Sequence, residues 1–166
     1  MIKSLLFLVL MMFQSVIPEL KKLREHYPLM SKQESSVIAI KELALSSKQI
    51  NQNLKLAYYA AAEMSSAQYK LNPASKIKTF NEGKKILEKA ILADSANIEA
   101  RYIRYTIQQN APNFLGYTKN RASDRQFLIQ HLGAIKITDK ELYSSIYAYL
   151  LLKSSLTEKE KTQINS

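Results

Sequence analysis

A chain of 166 residues is long enough for one compact domain with a sizeable apolar core, and with only three glycines and four prolines it points to helices. The absence of cysteine excludes a disulfide framework, a thiolate zinc site, a cysteine nucleophile and a lipid-modified N-terminal cysteine. Twenty-four Lys plus Arg against 14 Asp plus Glu give a net charge of +10, so the surface is drawn to anionic lipid, envelope polymers or acidic partners, yet the charge is dispersed and forms no polybasic block.

Lys3 is followed by an apolar run from Ser4 to Phe13 and then by the polar pair Gln14-Ser15, the layout of a signal peptide over residues 1–17. The run falls short of the roughly 20 apolar residues that span a bilayer, and left uncleaved it is a membrane tether. The expected location is therefore periplasmic or secreted. Residues 19–156 read as a single helical domain and residues 157–166 as a polar tail.

Within that domain, Glu19 to His26 is a short amphipathic helix stopped at Pro28. Ser31 with Glu34 three residues later reads as a capping box opening a second helix through Val37, Ile40 and Leu45. A third runs from about Ile50 to Tyr69 with small and apolar residues at helical spacing, and Asn72-Pro73 ends it and starts a fourth. There Gly83 lets a neighbouring helix approach closely. Asn97 caps a fifth helix through Gln109, with Ile98, Tyr102 and Tyr105 on its apolar side and Arg101, Arg104 and Gln108 on the other. The sixth, from about Lys119 to His131, offers Ala122, Phe127, Leu128 and Leu132 to the core. Thr138 with Glu141 reads as a capping box for the seventh, after which Thr157 begins the tail. The expected fold is all-α, an array of about six or seven helices joined as antiparallel hairpins.

The stretch from Gly83 through Leu87, Ala90, Ile91, Asp94 and Asn97 to Ala100 resembles the second helix, turn and following helix start of a tetratricopeptide repeat, with Ser95 where the pattern has proline. The resemblance is to a degenerate repeat: Arg101, Arg104, Tyr105 and Gln108 stand where the pattern has Trp, Leu, Gly and Tyr. It implies either a tetratricopeptide-like hairpin stack or an irregular α-bundle. The leader, the hairpins and the block Gln108-Gln109-Asn110-Ala111-Pro112 together also resemble small exported bacterial proteins without an assigned activity.

His26 and His131 are the only histidines, Asp124 and His131 lie ~10 Å apart along one helix, and no metal-ligand spacing or phosphate-cradling glycine loop occurs. No cofactor and no catalysis are expected. The carboxylates that a glycan hydrolase would need, Glu88, Asp94, Glu99 and Asp124, read as exposed helix-face or capping residues. No aromatic-basic motif of a nucleic-acid module appears. Ten tyrosines without a tryptophan suggest a partly wet groove, but Tyr102, Tyr105, Tyr143 and Tyr147 at helical spacing read sooner as a core edge.

The candidate binding residues are Arg101, Arg104, Lys119, Arg121 and Arg125, gathered on either side of one loop that carries Phe114 and Tyr117. Guanidinium groups so placed suit an acidic peptide, a carboxylate or a phosphate, and the bland alternative is a solvated face salted by Glu99 and Asp124. The function expected is that of an exported binding or scaffold protein engaging another envelope protein or a peptide. A structural protein held on anionic membrane by its charge is the alternative, and a carboxylate hydrolase comes third.

Overall fold

A computed structural model of the chain describes residues 17–165. The reading of the N-terminal leader falls almost wholly outside them; only Ile17 is seen, partly buried against the core. Among the described residues the chain is all helix, without strands, in eight α-helices: α1 Pro18–His26, α2 Glu34–Ser46, α3 Gln52–Ser66, α4 Pro73–Ala93, α5 Ile98–Asn110, α6 Arg121–His131, α7 Lys140–Lys153 and α8 Glu158–Asn165. None of them is long and apolar enough to cross a membrane.

Asparagine opens three of these helices for one physical reason: its carboxamide oxygen accepts the amide protons that the first turn leaves without partners. Asn51 accepts from Asn53 and Leu54, Asn72 from Ser75 just ahead of Pro73, and Asn97 from Ala100. Two expected capping boxes are absent. Ser31 lies in a turn in which Leu29 O accepts from the amides of both Lys32 and Gln33, so α2 begins only after the extended residue Gln33, and Ser31 caps nothing. At α7 the cap is Asp139, whose carboxylate accepts from the Leu142 amide at 3.1 Å, in place of the weaker Thr138 hydroxyl.

The C-terminal residues correct a further expectation. Instead of a polar tail they form α8, which raises the helix count to eight and opens with a capping box: Thr157 N donates to Glu160 Oε2, and Glu160 N donates to Thr157 Oγ1. Its one large apolar side chain, Ile164, is fully buried against α6 and α7.

The helices pack over two apolar centres. The first joins α1 to α4 with one face of α5, through Leu23, Ile40, Ala57, Tyr58, Leu87 and Ile103. The second joins another face of α5 to α6, α7 and α8, through Tyr105, Leu128, Leu132, Ile146, Leu150 and Ile164. In α6 and the turn that follows it, Leu128 and Leu132 face inward as expected and Phe127 is half-buried, but Ala122 is exposed and Ile129 fills the core instead.

The pairing of α3 with α4 is the most extensive in the molecule. The alanines Ala57, Ala60 and Ala61 of α3 bring the helices close, and a Cβ at Gly83 would stand 2.5 Å from Met64 Cγ and 2.8 Å from Ala60 O. Helix α5 lies between the two centres and is buried on more than one side. Its expected outer face therefore turns inward, leaving Arg104 only 5% and Gln108 only 1% exposed.

Candidate functional site

Three of the four arginines expected to form an open basic surface, Arg101, Arg104 and Arg125, are drawn into ion pairs instead. Asp124 is fully buried, and Arg104 grips it with two hydrogen bonds, Nε to Oδ2 at 2.6 Å and Nη2 to Oδ1 at 2.8 Å. The remaining Arg104 nitrogen, Nη1, donates to Glu88 Oε2 at 2.7 Å. Arg101 adds a bond to Asp124 at 3.2 Å and another to Ser95 O at 2.6 Å, and its guanidinium lies over the Phe127 ring at 4.0 Å. Tyr117 is buried and donates to Glu88; burial first, and then that carboxylate, raise its phenol pKa.

Two arginines and two carboxylates thus balance, and together they fasten α4, α5 and α6. Arg125 plays a similar part farther along, bonding Glu160 through Nη1 at 2.7 Å and Nη2 at 3.0 Å, which holds α8 against α6. Lys119, Arg121 and Phe114 remain at the surface. The structure does not gather the seven candidates into one site, and Asp124 and Glu99 are buried partners, not an exposed salting of a helix face.

Neither histidine has a carboxylate partner: His26 Nδ1 lies 3.2 Å from Ser36 Oγ, and His131 stacks on Phe127 with its Nδ1 2.9 Å from the Phe127 carbonyl. Among the described residues no group of three His, Asp or Glu side chains is placed to hold a metal ion.

The feature with the geometry of a binding site is a groove of about 820 Å³ enclosed by α1, α3, α4, α5, α7 and the connection after α5. Its volume falls within the range of ligand-binding clefts. Tyr27 and Tyr58 meet edge to face at 5.8 Å and Tyr102 and Tyr149 at 5.7 Å, and all four line the groove with Ile77, Phe80, Ile103 and Leu142. Polar groups recur along this apolar trough: Ser31, Gln68, Thr106, Asn110, Ser145 and the tyrosine hydroxyls. Tyr27 OH meets Thr106 Oγ1, Tyr102 OH reaches Ser145 O at 3.4 Å, and Tyr149 OH accepts from Asn110 at 3.0 Å. Burial raises the pKa of Tyr27, Tyr58, Tyr102 and Tyr149, so these hydroxyls stay protonated as hydrogen-bonding groups.

Apolar surface continues beyond the trough onto its rim, where Ile77 is 44%, Phe114 78% and Leu152 80% exposed. Of the charged residues in the wall, Arg24 and Glu99 are locked together by two 2.7 Å bonds, Nε to Oε1 and Nη2 to Oε2, and Tyr58 OH donates to Glu99 at 2.6 Å; Lys76 is the third. Burial opposes the charge on Arg24, but its hydrogen bonds to Glu99 and Asp139 outweigh that cost and hold its pKa above the ordinary value.

Sequence reasoning missed this groove because its wall is assembled from residues up to about 128 positions apart, none of which is unusual alone. The tyrosines were the one signal, and they divide. Tyr102 lines the groove and Tyr105 is core, while Tyr143 and Tyr147 stack on each other beside Ile164 and Asn165. Compared with family models, with curated proteins and with solved structures, the chain matches none significantly.

Proposed function

We propose that this is an exported protein that works by binding, taking a peptide segment of another envelope protein into the groove between α1, α3, α4, α5 and α7. The observation that carries the reading is the apolar trough with hydrogen-bonding groups at intervals along it and exposed apolar side chains on its rim. Most of these hydroxyls and amides already have a partner within the wall, so what they offer an occupant is spare hydrogen-bonding capacity, which a peptide's amides can use and an acyl chain cannot. Apolar surface that runs past a cavity onto its rim suits a partner larger than the cavity. Binding is favoured over catalysis because Glu99, the carboxylate in the wall, has both oxygens engaged by Arg24 and Tyr58. The α4–α5 hairpin fits the same proposal as a degenerate tetratricopeptide-like unit serving as scaffold.

The test is fluorescence anisotropy with a labelled amphipathic peptide of Leu, Ala and Gln. The full chain binds it, and Phe114→Asp and Ile77→Asp, at exposed rim positions, each weaken binding by about fivefold or more with unchanged circular dichroism. Absence of binding, or rim variants that bind as well as the parent, overturns the reading. Export is tested separately by fractionation and N-terminal sequencing; an intact chain from Met1 free in the cytoplasm refutes it.

A further inference from the structure

The chemistry of the groove's occupant is written in one corner of its wall, granted that the groove is a peptide site. There three carboxylates converge on a single guanidinium. Arg24 bonds Glu99 as above and reaches Asp139 through Nη1 at 3.0 Å and Nη2 at 2.7 Å, while Glu141 Oε2 stands 3.9 Å from Nη1. One cation facing three anions leaves a local charge of −2.

Glu99 is 6% exposed as a side chain, Asp139 25% and Glu141 38%, so the excess falls toward Glu141, the member open to solvent. On helix α7, Glu141 stands one turn before Ser145; it is not itself part of the lining, but it adjoins Leu142 and Ser145, which are, and faces the lining residue Arg24 at 3.9 Å. Tyr102, whose hydroxyl reaches Ser145 O, follows Glu99 by three residues on α5, so an aromatic ring lies beside the acidic corner. The Tyr102 phenol is raised by burial, then by Tyr149 and Glu99, a sign that the Glu99 charge is felt at this wall.

We propose that the segment taken into the groove is a basic amphipathic one, laying its apolar face along the trough and setting a Lys or Arg beside Glu141, the solvent-open carboxylate of this corner. This reverses the expectation drawn from the sequence, in which the arginines seek an acidic partner; those arginines are largely spent on Asp124, Glu88 and Glu160 inside the fold. The chain's overall +10 opposes a basic partner at long range, but at physiological ionic strength charges more than about 8 Å away are largely screened. The groove's own charges then decide the sign place by place: Lys76, in the α4 wall, repels a cation at its own position, whereas the acidic corner attracts one, which there also meets the adjacent aromatic ring.

The experiment is anisotropy with the full chain and three labelled peptides, identical amphipathic helices of Leu, Ala and Gln that carry Lys, Gln or Glu beside the apolar stripe, with the variable residue placed at either end. The Lys peptide binds about tenfold more tightly than the Glu peptide. Glu141→Gln, at a half-exposed position, shrinks that ratio to about threefold or less. Equal binding of all three peptides overturns the charge proposal while the groove stands, and so does tighter binding of the Glu peptide. If no peptide binds, the peptide-site reading falls and this proposal falls with it.

Discussion

In an open helix, replacing glycine with alanine stabilises by about 1 kcal/mol, since alanine has fewer unfolded conformations to lose. At Gly83 the sign reverses. The added Cβ would stand 2.5 Å from Met64 Cγ and 2.8 Å from both Ala60 O and Met64 N. The Met64 side chain can swing aside, but the α3 backbone atoms cannot, so α3 and α4 must part along the most extensive helix pair in the molecule. Parting by about 0.5–1 Å forfeits a quarter to a half of each dispersion contact, and overpacking of this kind costs about 1–3 kcal/mol.

With the propensity gain subtracted from the middle of that range, Gly83→Ala destabilises by about 1 kcal/mol, lowering the midpoint of thermal unfolding by roughly 2–4 °C for a domain of this size. Circular dichroism at 222 nm during a thermal scan reads the shift. An unchanged or higher midpoint refutes the reasoning. The substitution is also made in a Met64→Ala background, where only the side-chain obstacle is gone. It remains destabilising there if the backbone is the barrier, and becomes stabilising if the side chain alone resisted.

The charge reversal Arg101→Glu with Arg104→Glu, harmless if these residues formed a solvated face, sets two glutamates beside buried Asp124 and is expected to abolish cooperative unfolding or cost more than about 3–5 kcal/mol; a native-like melt contradicts the ion-pair assignment. Gln108→Met removes a carboxamide whose nitrogen and oxygen are both buried without a hydrogen-bond partner, so the urea midpoint holds or rises by the equivalent of about 1 kcal/mol, and a clear loss of stability shows that the amide is satisfied. The Glu160 carboxyl is pulled down to about 2 by its hydrogen bonds to Arg125 and Thr157. A carboxylate depressed in the folded state contributes stability above its ordinary pKa near 4.5 and loses it as the pH falls toward 2, so the protection of α8 amides, taken relative to their intrinsic exchange rates, falls across that window and Glu160→Gln flattens the dependence. A profile as steep in the variant as in the parent removes Glu160 as the cause.

What the sequence made legible was local chemistry with a single solution. Asn97 had no rival for its cap, Asn72-Pro73 had both an acceptor and a residue suited to the first turn, and Gly83 sat among larger residues that needed a gap. The capping boxes at Ser31 and Thr138 followed the same rule and failed because a competitor lay nearby: a turn closed on Leu29 O in the first case, the stronger acceptor Asp139 in the second.

Charge was misread at α5 for a different reason. Helical spacing separates the faces of a helix but does not reveal that both are covered, and Arg104 is buried because Asp124 arrives from α6, twenty residues later. The groove depends on contacts longer still, and the burial of α8 rests on the one isoleucine in an otherwise polar segment.

The Arg24 clasp sets an order of events for the newborn polypeptide. Helix α1 is the first of the described helices to emerge during synthesis, yet its anchoring partners trail by 75 and 115 residues. Until Glu99 and Asp139 have followed, Arg24 has no anion of this set to meet, and the earliest of these helices is held by its apolar packing and by the Ser47–Glu19 hydrogen bond. A chain stalled before residue 139 therefore presents that helix without its clasp to whatever handles it.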